Sequence, residues 1–181
     1  MTTWIALFRG INVGGNNMLP MAELRGDLED LKLKNVRTYI QSGNAVFDST
    51  GKSASALAEK IGRKVKEKHG FRPHLFLLTR EDLLAAVGSN PFPDAVSDPK
   101  TLHFFFLSDP ATDANRQALD DARAPTESYR LTDQVFYLHA PDGTGRSKLA
   151  ANAEKHLGVA VTARNYRTVD KLLAMVTGAG N

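Results

Sequence analysis

Cysteine is absent from the 181 residues. That removes disulfides, iron–sulfur clusters, cysteine-ligated zinc and a thiol nucleophile from the available chemistry. Long apolar runs are missing too: no stretch approaches the roughly 18 uninterrupted apolar residues that a membrane span needs. The opening Met1-Thr2-Thr3-Trp4 leads straight into a strand-like segment without a basic or apolar leader. The expectation is a soluble, cytoplasmic protein with no membrane partner. Catalytic signatures are equally sparse. His69, His74, His103, His139 and His156 lack metal-ligand spacing, and neither H-E-x-x-H nor G-x-S-x-G occurs. Asp120 and Asp121 are neighbours on a predicted helix, so they point in different directions and make a poor acid–base pair. Neither a metal nor a cofactor is expected.

What is present is a globular balance, 42% hydrophobic and 24% charged. Lys and Arg number 23 against 20 Asp and Glu, a net charge of +3. The excess sits early: 13 basic and 9 acidic residues up to Asn90, then 10 and 11. Lys60, Arg63, Lys64, Lys66 and Lys68 crowd one predicted helix. Such a run can bind nucleic acid, although a solvated helix face is its commoner meaning.

Hydrophobic periodicity orders the chain. Trp4–Arg9 reads as a strand apolar on both faces, and residues 10–19 as a Gly/Asn loop. Met21, Leu24, Leu28 and Leu31 give a helix after Pro20. Val36–Ile40 and Ala45–Phe47 form a hairpin around Gln41-Ser42-Gly43-Asn44. Leu57, Ile61 and Val65 give a second helix ending near Gly70, and Pro73–Leu78 is another strand. Thr79 and Asp82 form a capping box for a short helix, Leu83–Val87. After a Pro-rich connector the order recurs: strand Leu102–Leu107, helix Thr112–Ala122, hairpin Glu127–Leu131 and Gln134–Leu138, helix Ser147–Leu157, strand Val159–Thr162 and a last helix. The fold expected is α+β, two tandem ferredoxin-like (βαββαβ) subdomains, each followed by an extra helix. The boundaries are 1–90, a connector 91–100, and 101–181. In such a sheet the end of the first strand emerges beside the 41–44 turn.

Four segments offer chemistry. Arg9-Gly10-Ile11-Asn12-Val13-Gly14-Gly15-Asn16-Asn17 lies between a strand and a helix, where backbone N–H groups and a guanidinium suit phosphate or carboxylate. Its spacing matches neither a dinucleotide nor a P-loop signature, and a long connector needing left-handed residues would look the same. Gln41, Ser42 and Asn44 could place amides and a hydroxyl beside it, or simply form a turn. Gly143-Thr144-Gly145-Arg146-Ser147-Lys148 precedes a helix; Ser147 is a good N-cap, and Arg146 and Lys148 are either exposed or ligand-facing. Arg164 and Arg167 flank an Asn-capped helix start and could grip phosphate oxygens. RNA stacking on the sheet aromatics is disfavoured, because that platform needs one open face.

At these residues a resemblance becomes specific. Leu7–Asn17 followed by Pro20-Met21-Ala22-Glu23-Leu24 resembles the opening of a widespread bacterial family, domain-of-unknown-function family 1697. Tyr39–Asn44, Asn90-Pro91-Phe92, Arg146-Ser147-Lys148-Leu149 and Arg164–Thr168 are similar to its later blocks, with Tyr166 where many relatives carry Trp. The resemblance implies two related ferredoxin-like subdomains and supplies no activity, substrate or catalytic residue.

The leading expectation is a protein that binds an anionic, phosphate-bearing small molecule or nucleic acid. Arg9, Asn12, Gly14, Gly15, Asn16, Asn17, Gln41, Ser42 and Asn44 would form the pocket, and Arg146, Lys148, Arg164 and Arg167 would complete it. The alternatives are an enzyme acting on a phosphorylated metabolite, with Ser42 as the nearby hydroxyl, and a protein-interaction module.

Overall fold

A strand whose residues are apolar on both faces must be covered on both, and the first strand meets that demand. In the computed structural model, which describes residues 1–178, β1 runs Thr2–Arg9 and every residue from Trp4 to Phe8 is buried. The chain divides into two compact units, Met1–Leu84 with the described residues from Leu172 onward, and Ala85–Lys171.

The first unit continues with α1 (Met21–Asp30), β2 (Lys34–Tyr39), β3 (Asn44–Ser49), α2 (Ala54–His69) and β4 (His74–Thr79). Its sheet has the order β2-β3-β1-β4, with β3 antiparallel to both β1 and β2. Trp4, Ala6 and Phe8 on one face of β1, with Ala45 and Phe47 of β3, meet Leu24 and Leu28 of α1 and Leu57, Ile61 and Val65 of α2. Local chemistry sets the helix ends. Ser53 caps α2 by accepting from Ala56 N–H at 3.2 Å, and Gly70, at φ +80°, closes it. The end of α1 is closed by a Schellman pair, Leu33 N–H to Leu28 O and Lys32 N–H to Glu29 O. That puts Lys32 at φ +64°, where glycine is the usual occupant.

The basic face of α2 is largely spent inside the unit. Lys64 pairs with Asp30 at 2.9 Å, Lys68 with Asp27 at 2.8 Å and Asp30 at 2.9 Å, and Lys60 Nζ donates to Leu31 O at 3.2 Å. Asp27 is itself buried and bonded to His69 Nε2 at 2.7 Å. The two flanking lysines hold the Asp30 carboxyl down at about 2. The run therefore joins two helices rather than facing solvent as a free cationic stripe.

α3 (Arg80–Gly88) follows, opened by the expected box: Thr79 N–H and Oγ1 donate to Asp82 Oδ2, and Asp82 N–H donates back to Thr79 Oγ1. A 3-10 turn, Pro93–Ser97, leads into the second series: β5 (Leu102–Leu107), α4 (Arg116–Ala122), β6 (Ser128–Leu131), β7 (Val135–His139), α5 (Lys148–Leu157), β8 (Val161–Asn165) and α6 (Tyr166–Thr177). Its sheet repeats the order as β6-β7-β5-β8. Phe105 and Phe136, edge to face at 5.5 Å, lead its core with Leu119, Leu149 and Leu157. The architecture is thus the expected α+β pair of ferredoxin-like units, with α3 and α6 as the added helices.

Among the boundaries that differ from the expected ones, two are set by a partner distant in sequence. α4 starts at Arg116, not Thr112, because Asn115 N–H is held by His156 O at 2.7 Å while the Asn115 side chain caps the helix through Ala118 N–H. β8 runs on to Asn165 because it pairs with β5 as far as His103↔Asn165, so Arg164 belongs to a strand and not to a pre-helix loop.

Candidate functional site

The segment after β1 is a miniature hairpin. Val13 and Asn16 form an antiparallel bridge closed by Asn16 N–H to Val13 O at 3.0 Å, and Asn12 N–H donates to Asn17 O at 3.1 Å. Its two-residue turn is Gly14-Gly15, both at positive φ as a type I′ turn requires. Side-chain amides fasten it. Asn12 accepts from Leu19 N–H at 2.7 Å and donates to Leu19 O at 2.9 Å and to Gln41 O at 2.8 Å; Asn17 donates to Gly10 O at 2.9 Å. In the neighbouring turn, Asn44 is fully buried and donates to Tyr39 O and Ser42 Oγ. Phe8 N–H reaches Gly43 O at 2.8 Å.

The two polar segments of the first unit do meet, as the topology demands. Their meeting is held by the Asn12 amide on Gln41 O and by Phe8 N–H on Gly43 O, while Asn17 and Asn44 fasten each segment internally. Gly14, Gly15, Asn16, Gln41 and Ser42 remain exposed around them, and Arg9 is half-buried.

In the second unit, Arg146 and Lys148 line a cleft of about 510 Å³, with Ser147 between them capping α5 through Ala150 N–H at 2.9 Å. Arg123 adds a third cation there, and Asp121, Glu127 and Asp142 supply three carboxylates, so the cleft is balanced in charge. Arg164 and Arg167 are not brought together. Arg164 is buried in β8 and donates to Thr162 Oγ1 and Ala163 O, with burial pulling its pKa down to about 10. Arg167 is exposed on the first turn of α6, which Asn165 caps through Thr168 N–H at 3.1 Å.

A further cleft, unanticipated from the sequence, opens at the start of β1, the opposite end of the first sheet from the miniature hairpin. Its volume is about 430 Å³, between the α1–β2 connection and the β3–α2 loop. Lys32, Lys34, Lys52 and Lys60 line it against one carboxylate, Asp48. Asp48 is already engaged, accepting from Thr3 Oγ1 at 2.6 Å and Asn35 Nδ2 at 2.7 Å. Burial pushes its pKa up, but those two bonds and the Arg37 charge outweigh burial and keep it below the usual value, so it is ionised at neutral pH. The side chains of Lys32, Lys34 and Lys52 make no hydrogen bond or ion pair with a described residue. In the linear sequence only Lys32 and Lys34 stand close together, and Lys52 and Lys60 come from a later loop and helix. Only Lys60 belonged to a visible basic run. Among the described residues no group of three His, Asp or Glu is placed to hold a metal ion, and no helix is long and apolar enough to cross a membrane.

Comparison with known proteins adds a family and a structural relative. A family model described as "Protein of unknown function (DUF1697)" matches residues 1–137. A solved structure, described as that of a conserved bacterial protein from Streptococcus pneumoniae, is similar over 96% of this chain and 98% of that one, at 29% identity and a TM-score of 0.74. Among curated proteins none matches.

Proposed function

This chain belongs to the DUF1697 family of proteins of unknown function, and we propose that it binds a phosphate-bearing anion in the lysine-walled cleft of its first unit. One observation carries the reading. Three ammonium groups, on Lys32, Lys34 and Lys52, line a single concavity without a partner in the described chain, and its one carboxylate is already hydrogen-bonded. Unpaired like charges around a hollow repel one another, and an arriving anion relieves that repulsion while low-dielectric walls focus the field on it. The cleft of the second unit, with three charges of each sign, has no such excess.

The test is a calorimetric titration with inorganic pyrophosphate at low salt. Replacing Lys32, Lys34 and Lys52 together by Ala should weaken binding at least tenfold, as removal of several charge-assisted contacts does. Unchanged affinity overturns the assignment. Arg9→Ala and Arg146→Ala in parallel discriminate the site: a loss confined to Arg9→Ala would move it to the miniature hairpin, and one confined to Arg146→Ala to the second unit.

Lys32 gives an independent check. At φ +64° a lysine is held in a conformation that costs roughly 1 kcal/mol more than glycine would pay there. Lys32→Gly should therefore raise stability to urea by about 1 kcal/mol while weakening pyrophosphate binding severalfold. Opposite signs in the two readouts are what retention of a strained lysine for its charge requires; parallel changes would assign the residue to the fold.

A further inference from the structure

The walls of the same cleft narrow the kind of anion it takes. Between the lysines the larger part of its lining is carbon, Leu31, Leu33 and Leu57 with Ala56 and the exposed Met1, and Ser49, Thr50 and Ser53 add hydroxyls. Leu33 and Leu57 are buried at its base, whereas Lys32, Lys34 and Lys52 are exposed. Lysine stems are themselves four methylenes long and extend an apolar wall up to the charged head. A free phosphate would satisfy the ammonium groups and leave this lining wetted. A nucleic-acid strand needs a groove open along its length with aromatic rings on which bases stack, and this cleft has no aromatic wall. A volume of about 430 Å³ lies within the range of small-molecule sites, which are mainly apolar with a few placed polar groups.

Resting on the anion-binding reading, we infer that the ligand is a small amphipathic anion, an aromatic or short acyl body that fills the leucine-lined base and carries its negative group to Lys32, Lys34 and Lys52. Area removed from water then adds to charge neutralisation, at roughly 25 cal/mol for each Å² of apolar surface.

The experiment compares three probes on the full chain. They are 8-anilinonaphthalene-1-sulfonate, read by its fluorescence, inorganic pyrophosphate, read by calorimetry, and a ten-nucleotide oligothymidylate, read by anisotropy. The expected result is 1:1 binding of the naphthalene sulfonate at least tenfold tighter than pyrophosphate, although it carries fewer charges. That affinity should drop at least tenfold in the triple lysine-to-alanine variant. It should drop again in Ala56→Trp, which fills the cleft from an exposed helix position. Pyrophosphate or the oligonucleotide binding tighter, with the triple variant still impaired, overturns the amphipathic inference and leaves the anion site standing. No effect of the triple variant on any probe overturns both. Naphthalene sulfonate binding that survives Ala56→Trp places the dye elsewhere and overturns the amphipathic inference.

Discussion

Gly43→Ala is expected to cost about 3 kcal/mol and to lower the melting temperature by roughly 6–12 °C. Two effects add. Gly43 sits at φ +82°, where any side chain is strained by about 1 kcal/mol. A Cβ there would also lie 2.7 Å from Phe8 Cβ and 2.6 Å from Ile11 Cδ1. The end of Ile11 can rotate away, but Phe8 Cβ is fixed to the central strand and is buried, so the turn itself must lift. Lifting it stretches the Phe8 N–H to Gly43 O bond on which the meeting of the two loops depends. Gly15→Ala is the matched control: its φ is +77° and nothing lies within 4 Å of the added atom, so only the conformational part, about 1 kcal/mol, should appear. Equal losses in the two variants, measured by urea and thermal unfolding, would show that close approach plays no part at Gly43.

Asp27→Ala should be the next most damaging change, at about 2 kcal/mol. The Asp27 carboxylate is 2% exposed and holds His69 Nε2 at 2.7 Å, so its loss strands a largely buried imidazole against α1. The Lys68 partner is nearly half exposed and adds little, as screened pairs do. Asp30→Ala removes two ion pairs by count yet should barely move the unfolding midpoint, because the Asp30 carboxylate they share is half exposed and screened. A larger effect at Asp30 than at Asp27 would reverse this account of what joins α1 to α2.

Most of the architecture was legible because it rests on period and punctuation. The both-face apolar run of Trp4–Phe8, the Thr79–Asp82 box, and Gly70 after a helical stripe each declare their structure locally. The meeting of residues 9–17 with 41–44 was legible as well, since it follows from strand order alone. The start of α4 and the length of β8 were not, because each is set by a partner distant in sequence: His156 O for the first and β5 for the second. The side chains expected to face a ligand divide on similar grounds. Asparagine is chosen both for binding and for bridging stray backbone groups, and Asn12, Asn17 and Asn44 do the second. The lysine cleft was invisible because its members come from different elements and converge only when β2 and β3 pair and α2 folds back beside them.

The ties between α2 and α1 bear on how the molecule meets its surroundings. Its isoelectric point near 9.2 would suggest a protein that clings to any polyanion. Lys64 and Lys68 are matched by Asp27 and Asp30 within the unit, so the basic run of α2 offers a distant polyanion little local excess, and salt confines the field of the remaining charge to a Debye length of about 10 Å. Attraction is left to act at contact range, which favours selection by shape at the cleft mouth over indiscriminate adhesion to acidic macromolecules.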